Sequence, residues 1–301
     1  MFKSLIGQDH IKRQLGFYQD VYSSTGVVPF LMFNGAKGLG KTEFAKSFAA
    51  AIGKPMLEIN CSTIKNAKQF FDQIFVPIIM ESKITVLFDE CHALPKDLVM
   101  SFLTVFNTEK SNKKRFDFEE SSLEFNFENQ SYIFSTSEPD KLFPPFKDRL
   151  TVIDFKQYSE EDLGKILQSR TEGIKISPEV IDEVSHTLRG NARSAVKRAK
   201  EIVMYCESRN SPVFGTKEWN ELCSLVDILP LGLTNSEVEI LRVLKQRGDS
   251  TLSALSASTG LSRTAIQRDS ESYLTKMNLI KIDGTRKITS KGILILGKIK
   301  D

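Results

Sequence analysis

Short apolar runs alternate with amphipathic stretches along the first half of the chain. Residues 30–34 (Phe-Leu-Met-Phe-Asn) form an apolar run closed by Gly35, which predicts a buried strand. Residues 42–52 combine strong helix formers with an apolar stripe that stops at Gly53, and predict a helix. A second strand follows over 56–60, a mostly helical stretch over 67–80 and a third strand over 84–88. The third is apolar almost throughout, as in strands that a parallel sheet covers on both faces. A helix over 95–106 and strands over 131–136 and 152–155 continue the alternation. Strands alternating with helices imply an α/β domain with a parallel sheet and right-handed crossovers.

After Gln157 the pattern turns purely helical. Ser159, followed by Glu160, Glu161 and Asp162, opens one helix as an N-cap with an acidic first turn. Ser177 opens the next, with Pro178 at the first helical position. Gly190 breaks the chain, a helical apolar period resumes over 192–207, and 222–233 reads as a linker. Residues 235–246 then form an amphipathic helix with Val238, Ile240, Leu241 and Leu244 facing inward. A short helix over 252–258, a turn at Gly260, a helix over 262–276 and two strands about Asp283-Gly284-Thr285 complete a winged helix-turn-helix. The expected division is a large α/β domain over 1–156, a helical lid over 157–227 and a winged helix over 228–301.

Composition excludes several classes. At 301 residues, 41% hydrophobic and 26% charged, the chain fits two or three globular cores. No apolar run approaches the ~20 residues of a membrane span, and the first residues lack the basic-then-apolar pattern of a secretory signal. Cys61, Cys91, Cys206 and Cys223 have no CxxC spacing, which argues for reduced thiols in the cytoplasm and against a zinc site or a disulfide framework. Charge is uneven: residues 228–301 hold 12 Lys and Arg against 7 Asp and Glu, leaving 29 against 31 before them. The basic tail suits an anionic polymer, or is a solvated basic surface.

Candidate chemistry begins at residues 35–42, Gly-Ala-Lys-Gly-Leu-Gly-Lys-Thr, a full GxxxxGK[ST] phosphate loop lying between a predicted strand and a predicted helix. Backbone amides at Gly35, Gly38, Leu39 and Gly40 would wrap the phosphates of ATP, Lys41 would reach the β- and γ-phosphates, and Thr42 would ligate Mg²⁺. Asp89 and Glu90 end the apolar strand over 84–88: Asp89 can hold Mg²⁺ through water, and Glu90 can orient and deprotonate the attacking water. Asp-Glu-Cys-His over 89–92 also spells a DExH helicase box, but tandem motor domains do not fit the chain, and Cys91 and His92 read as structural residues. Ser135 and Ser137 end the strand expected beside that of Asp89, where a hydroxyl could meet the γ-phosphate or the lytic water; a strand-end cap is the alternative. Arg149, just past the sheet, could reach a neighbouring subunit's nucleotide, or form a surface salt bridge.

These residues, in this order, resemble the AAA+ ATPases, and within them the RuvB family of Holliday-junction branch-migration motors. Leu5 and Ile6 look like the family's adenine-side segment, and Ser137 is similar to its sensor 1. Asp148-Arg149 is similar to the arginine finger, and Arg193 in Arg-Gly-Asn-Ala-Arg over 189–193 to sensor 2. Residues 231–234 and 239–244 look like the start of that family's C-terminal winged helix. The resemblance implies an ATP hydrolase forming a homo-oligomeric, hexameric ring that couples hydrolysis to translocation on duplex or four-way-junction DNA. Arg263, Thr264, Gln267 and Arg268 on the third helix, with Arg286 and Lys287 on the wing, would then meet DNA, chiefly at phosphates; winged helices also dock proteins. The alternatives are a replication initiator or loader, a clamp-loader-type subunit and a non-hydrolysing adaptor.

The chain departs from the family pattern in three places. Lys37 stands where Pro is usual, and Glu138 replaces a basic residue after sensor 1. Residues 115–127 read as a hairpin with Phe116, Phe118, Phe125 and Phe127 alternating with polar residues. Its tip over 119–122 is acidic and polar where RuvA-binding hairpins are apolar, so a partner other than standard RuvA, or none, is expected there.

Overall fold

Parallel pairing organises the first half of the chain in the computed structural model, which describes residues 2, 4–106, 112–119 and 121–299. The chain divides into two compact units, Met1–Ile166 with Gly190–Ser194, and Leu167–Arg189 with Ala195–Asp301. In the first, the strands are β1 (Leu31–Asn34), β2 (Met56–Asn60), β3 (Ile84–Asp89), β4 (Lys113–Phe118), β5 (Ser121–Asn126), β6 (Gln130–Thr136) and β7 (Thr151–Asp154). Five of them form one sheet in the order β2-β3-β6-β1-β7, with every pairing parallel. Asn34 pairs with Thr136 and Asp154, and Asn60 with Asp89, so the carboxyl ends lie along one edge. β6 separates β1 from β3, and the loops leaving those strands flank it, which is where open α/β sheets bind ligands.

Aromatic packing fixes that edge from below. Helix Lys96–Val105 buries Phe102, which meets the rings of Phe70, Phe88, Phe106, Phe134 and Phe146. Phe88 of β3 and Phe134 of β6 stack at 5.0 Å, tying the two central strands together one residue before Asp89. Lys54 is only 2% exposed; its Nζ donates to the Glu128 carbonyl and to Ser131 Oγ, both at 2.8 Å, and burial pulls its pKa down to about 8.

The hairpin of β4 and β5 has the expected alternation, with Phe116 opposite Leu123 and Lys114 opposite Phe125. Its aromatic face turns inward. Leu123, Phe125 and Phe127 are buried, and Phe116 and Phe118 lie against Phe71. Phe125 stacks on Phe75 at 4.1 Å. Phe71 and Phe75 belong to a helix that begins as Ala67–Phe70 and widens into π-type turns over Phe71–Ile79 around Pro77, which has no amide hydrogen to give. At the tip, Glu119 pairs with Lys68, while Glu120 lies outside the described residues.

The second unit is not purely helical. β8 (Lys175–Ile176) and β9 (Val213–Phe214) pair in parallel; two residues are too few to leave an alternation in the sequence. A helix over Thr216–Leu225 occupies the start of the expected linker, with Trp219 and Leu222 buried on one side. The winged helix follows the expected order: helices Asn235–Arg247 and Leu252–Thr259, a third helix over Arg263–Ala265, Ile266–Glu271 and Ser272–Lys276, then β10 (Ile280–Asp283) and β11 (Thr285–Ile288). A further helix, Ser290–Leu296, closes the core beside Leu241, Leu274 and Leu279.

One buried ion pair joins the turn after helix Pro178–Thr187 to the winged helix. Arg189, at φ 57°, donates from Nη2 to Glu237 Oε1 at 2.6 Å and lies 3.4 Å from the centre of the Tyr273 ring. Glu237 is fully buried, and its other oxygen accepts from the Thr234 amide at 2.8 Å in a capping box. Removing one partner strands a buried charge. Arg189→Ala is therefore expected to cost this unit about 3 kcal/mol, read in urea by the fluorescence of Trp219, the only tryptophan. A loss below about 0.5 kcal/mol would place the pair among weak surface contacts.

Candidate nucleotide site

The phosphate loop joins β1 to helix Lys41–Ala51, and its glycines are required by its path. Gly40 caps the helix at φ 88°, and a Cβ on Gly38 (φ 83°) would come within 2.3 Å of the Asn191 side chain. The helix N-terminus faces the loop with unpaired amides, the arrangement that binds phosphate. Lys41 is 9% exposed, and its Nζ donates to the carbonyls of Gly35 at 2.6 Å and Ala36 at 3.1 Å. Burial lowers its pKa; Glu90 and Asp89 oppose that shift, and Arg193 and Lys37 add to it. Five charged groups thus share one field. Thr42 is half-buried in the first turn.

The two carboxylates are held by the neighbouring strand. Ser135 Oγ donates to Asp89 Oδ1, and Ser137 Oγ donates to Glu90 Oε2 at 3.1 Å. Glu90 sits at φ 54°, a strained position that turns its side chain out of the strand direction. Lys37 Nζ lies 3.3 Å from Glu90 Oε1. Burial raises the pKa of Glu90, but the hydrogen bond from Ser137 and the ammonium of Lys37 outweigh it, leaving the carboxyl below its usual value.

His92, expected as a structural residue, lies beside the carboxylate. Its Nδ1 is 3.0 Å from Thr136 Oγ1 and 3.4 Å from Glu90 Oε2, and its Nε2 is 3.4 Å from Glu138 Oε1. It links the ends of β3 and β6 beside the carboxylate. Cys91 is structural, buried, with its thiol pushed up to about 12 by desolvation.

Chain segments distant in sequence complete the rim. Leu5 and Ile6 are half-buried, and Gln8 ties the next turn to β7's exit: its Nε2 donates to the Lys156 carbonyl at 2.5 Å and its Oε1 accepts from the Lys156 amide at 3.3 Å. Tyr158 donates its hydroxyl to the Leu39 carbonyl at 3.2 Å, and its amide donates to Gly190 at 3.0 Å. Asn191 Nδ2 donates to the Lys37 carbonyl at 2.9 Å, and the Arg193 amide donates to the Gly38 carbonyl at 3.1 Å, which leaves the Arg193 side chain exposed beside the loop. In the sequence Lys37 showed only as a departure within the phosphate loop, His92 only as the end of a DExH box and Asn191 only as a member of the motif over 189–193, and Tyr158 carried no signal as a member of the site. Arg149, after the short helix Pro144–Lys147, donates from Nη1 to the Pro145 carbonyl at 2.6 Å, and its Nε is buried without a hydrogen bond.

On the winged helix, Arg263, Thr264, Gln267 and Arg268 are exposed along one side of the third helix. Lys287 is exposed and pairs with Asp249 at 2.6 Å. Arg286 departs from the expectation that it stands out on the wing. Its Nε and Nη2 donate to Glu271 Oε1 and Oε2 at 2.7 and 3.2 Å, its side chain is 11% exposed, and its backbone exchanges two hydrogen bonds with Ser250. It braces the wing against the third helix. No helix among the described residues is long and apolar enough to cross a membrane.

Comparison with known proteins agrees with this arrangement. The family model described as "ATPase family associated with various cellular activities (AAA)" matches residues 31–158, and that of the "RuvB C-terminal winged helix domain" matches 230–297. The Holliday junction branch migration complex subunit RuvB of Mycoplasmopsis synoviae is 24% identical, over 99% of this chain and 96% of its own length. That of Thermobifida fusca is 23% identical over 91% of this chain and 80% of its own. The structure of the Thermotoga maritima RuvB Holliday junction branch migration motor superposes with a TM-score of 0.76 at 19% identity, covering 97% of this chain and 95% of that one. The RuvB-specific winged helix favours this branch over the initiator and clamp-loader alternatives. An AAA nucleotide domain followed by that winged helix, in a chain spanned almost throughout by RuvB relatives, makes the protein a divergent member of the RuvB family of AAA+ ATPases.

Proposed function

We propose that the chain is an ATP-driven DNA motor that translocates on duplex DNA and migrates Holliday junctions in recombination, working in the cytoplasm as a hexameric ring. The observation that carries the reading is a full row of Lys41, Asp89, Glu90 and Ser137 at one sheet edge, on a chain that also bears a RuvB-type winged helix. Within that reading 1–156 is the motor domain, 157–227 the lid and 228–301 the DNA module.

ATP phosphates lie against the amides of Gly35, Gly38, Leu39 and Gly40, with Lys41 on the β- and γ-phosphates and the adenine beside Leu5 and Ile6. Lys41 exchanges its two carbonyl partners for phosphate oxygens, which relieves the cost of its burial. Thr42 and Asp89 offer the hard oxygen donors that Mg²⁺ takes alongside phosphate and water, and Ser135 fixes the Asp89 carboxylate for that purpose. Mg²⁺ there supplies neutralisation of charge on the phosphate oxygens. Glu90 accepts a proton from the attacking water while Ser137 fixes its orientation. Arg149 serves the site of the next subunit, and Arg193 carries the state of the nucleotide to the lid. Arg263, Gln267, Arg268 and Lys287 contact DNA phosphates, while Arg286 supports them from inside the wing. The relatives are named as subunits of a branch migration complex, and hairpin 115–127, with its acidic tip, takes a protein partner other than standard RuvA, or none.

ATPase rates without DNA, with linear duplex and with four-way junctions test the reading. Turnover is expected to rise with DNA, most with junctions, and the gain to fade between about 50 and about 200 mM salt as counterion release weakens phosphate contacts. Turnover indifferent to DNA would remove the motor reading. Equal stimulation by linear duplex would leave translocation and remove the junction preference.

A further inference from the structure

Lys37 is the third residue of the glycine loop, and its side chain leaves the loop to reach the carboxylate at the end of β3. Its Nζ lies 3.3 Å from Glu90 Oε1, whereas Ser137 Oγ and His92 Nδ1 approach the other oxygen, Oε2, at 3.1 and 3.4 Å. The two sides are unequal. Ser137 follows a buried strand and the His92 side chain is 14% exposed, but the Lys37 side chain is 68% exposed on a flexible stem. An exposed ammonium–carboxylate pair contributes only ~0–1 kcal/mol, so it is readily exchanged for a stronger anion.

The Lys37 backbone, by contrast, is pinned through its carbonyl to Asn191 Nδ2 at 2.9 Å. The ammonium therefore swings from a fixed base beside the mouth of the loop, and its charge is already felt at Lys41. The carboxylate it holds is the one that faces the lytic water, so the ammonium stands at the terminal-phosphate end of the site.

We propose that Lys37 is a positioning residue shared between the Glu90 carboxylate and the γ-phosphate of bound ATP, passing to the phosphate and releasing Glu90 toward the attacking water only when a triphosphate is present. The proposal rests on the reading of Glu90 as the group that activates water. ADP, lacking the terminal phosphate, leaves Lys37 on Glu90, and Lys37 then separates ATP from ADP.

Calorimetric binding of β,γ-imido ATP and of ADP to the full chain tests this. Lys37→Met is expected to weaken the triphosphate about five- to tenfold and ADP by less than about twofold, and Lys37→Arg, which keeps the charge, to restore the difference. Glu90→Gln removes the charge that competes for Lys37, so it is expected to tighten the triphosphate; combining it with Lys37→Met cancels that gain and makes the cycle non-additive. Equal losses for both nucleotides, or an additive cycle, overturn the proposal. These measurements need no turnover, and the reading of Glu90 fails separately, if Glu90→Gln hydrolyses ATP at the wild-type rate.

Discussion

Glu90→Gln is expected to lower ATP turnover by about 10²- to 10⁴-fold while nucleotide binding survives. Gln keeps the size of the side chain and can still accept the hydrogen bond that Ser137 gives at 3.1 Å, so the end of β6 stays in register with β3. Lys41, the amides of the loop and the Ser135–Asp89 hydrogen bond are untouched, which preserves the phosphate and metal positions. What is lost is the proton acceptor. Steady-state phosphate release beside nucleotide binding separates the two effects. A variant that binds normally and turns over within about threefold of wild type would take the base role away from Glu90.

Arg149→Ala is expected to cost about 10³-fold or more in turnover, and the loss is expected to be complemented in mixed rings. The Arg149 guanidinium bonds to the carbonyl of Pro145 on its own short helix, and its Nε is buried with no hydrogen bond, so the side chain is aimed by its helix rather than by its own nucleotide loop. A finger supplied across an interface makes a clear signature. Arg149→Ala subunits keep Glu90, Glu90→Gln subunits keep Arg149, and mixing the two rebuilds complete sites at some interfaces. ATPase activity should reappear on mixing inactive partners. If neither the mixture nor either partner hydrolyses ATP although wild type does, Arg149 acts within its own subunit or only on assembly, and the sedimentation of the Arg149→Ala chain tells these apart.

The sequence alone determined the local, contiguous features. Residues 35–42 specify a loop whose glycines, lysine and threonine act through backbone geometry a few residues long, and the strand before and helix after it appear where periodicity placed them. The alternation of Phe116, Phe118, Phe125 and Phe127 likewise specified a hairpin. The order of strands and helices was legible for the same reason, since burial on one or both faces leaves a period in the chain.

The tertiary structure decided which distant groups meet. Nothing near Lys37 in sequence says that its ammonium finds Glu90, and nothing near His92 says that it bridges Thr136 and Glu138. The direction of the hairpin's aromatic face depended on Phe71 and Phe75 being there to receive it. Arg286 has the composition of a DNA contact, yet Glu271, fifteen residues earlier and on the third helix, turns it inward. The β8–β9 pair was hidden because two residues leave no alternation, whereas the helix Thr216–Leu225 carries an i, i+3 apolar pair, Trp219 and Leu222, in a stretch whose end was read as linker. A charged side chain goes where its counter-charge is, and only the folded chain fixes that place.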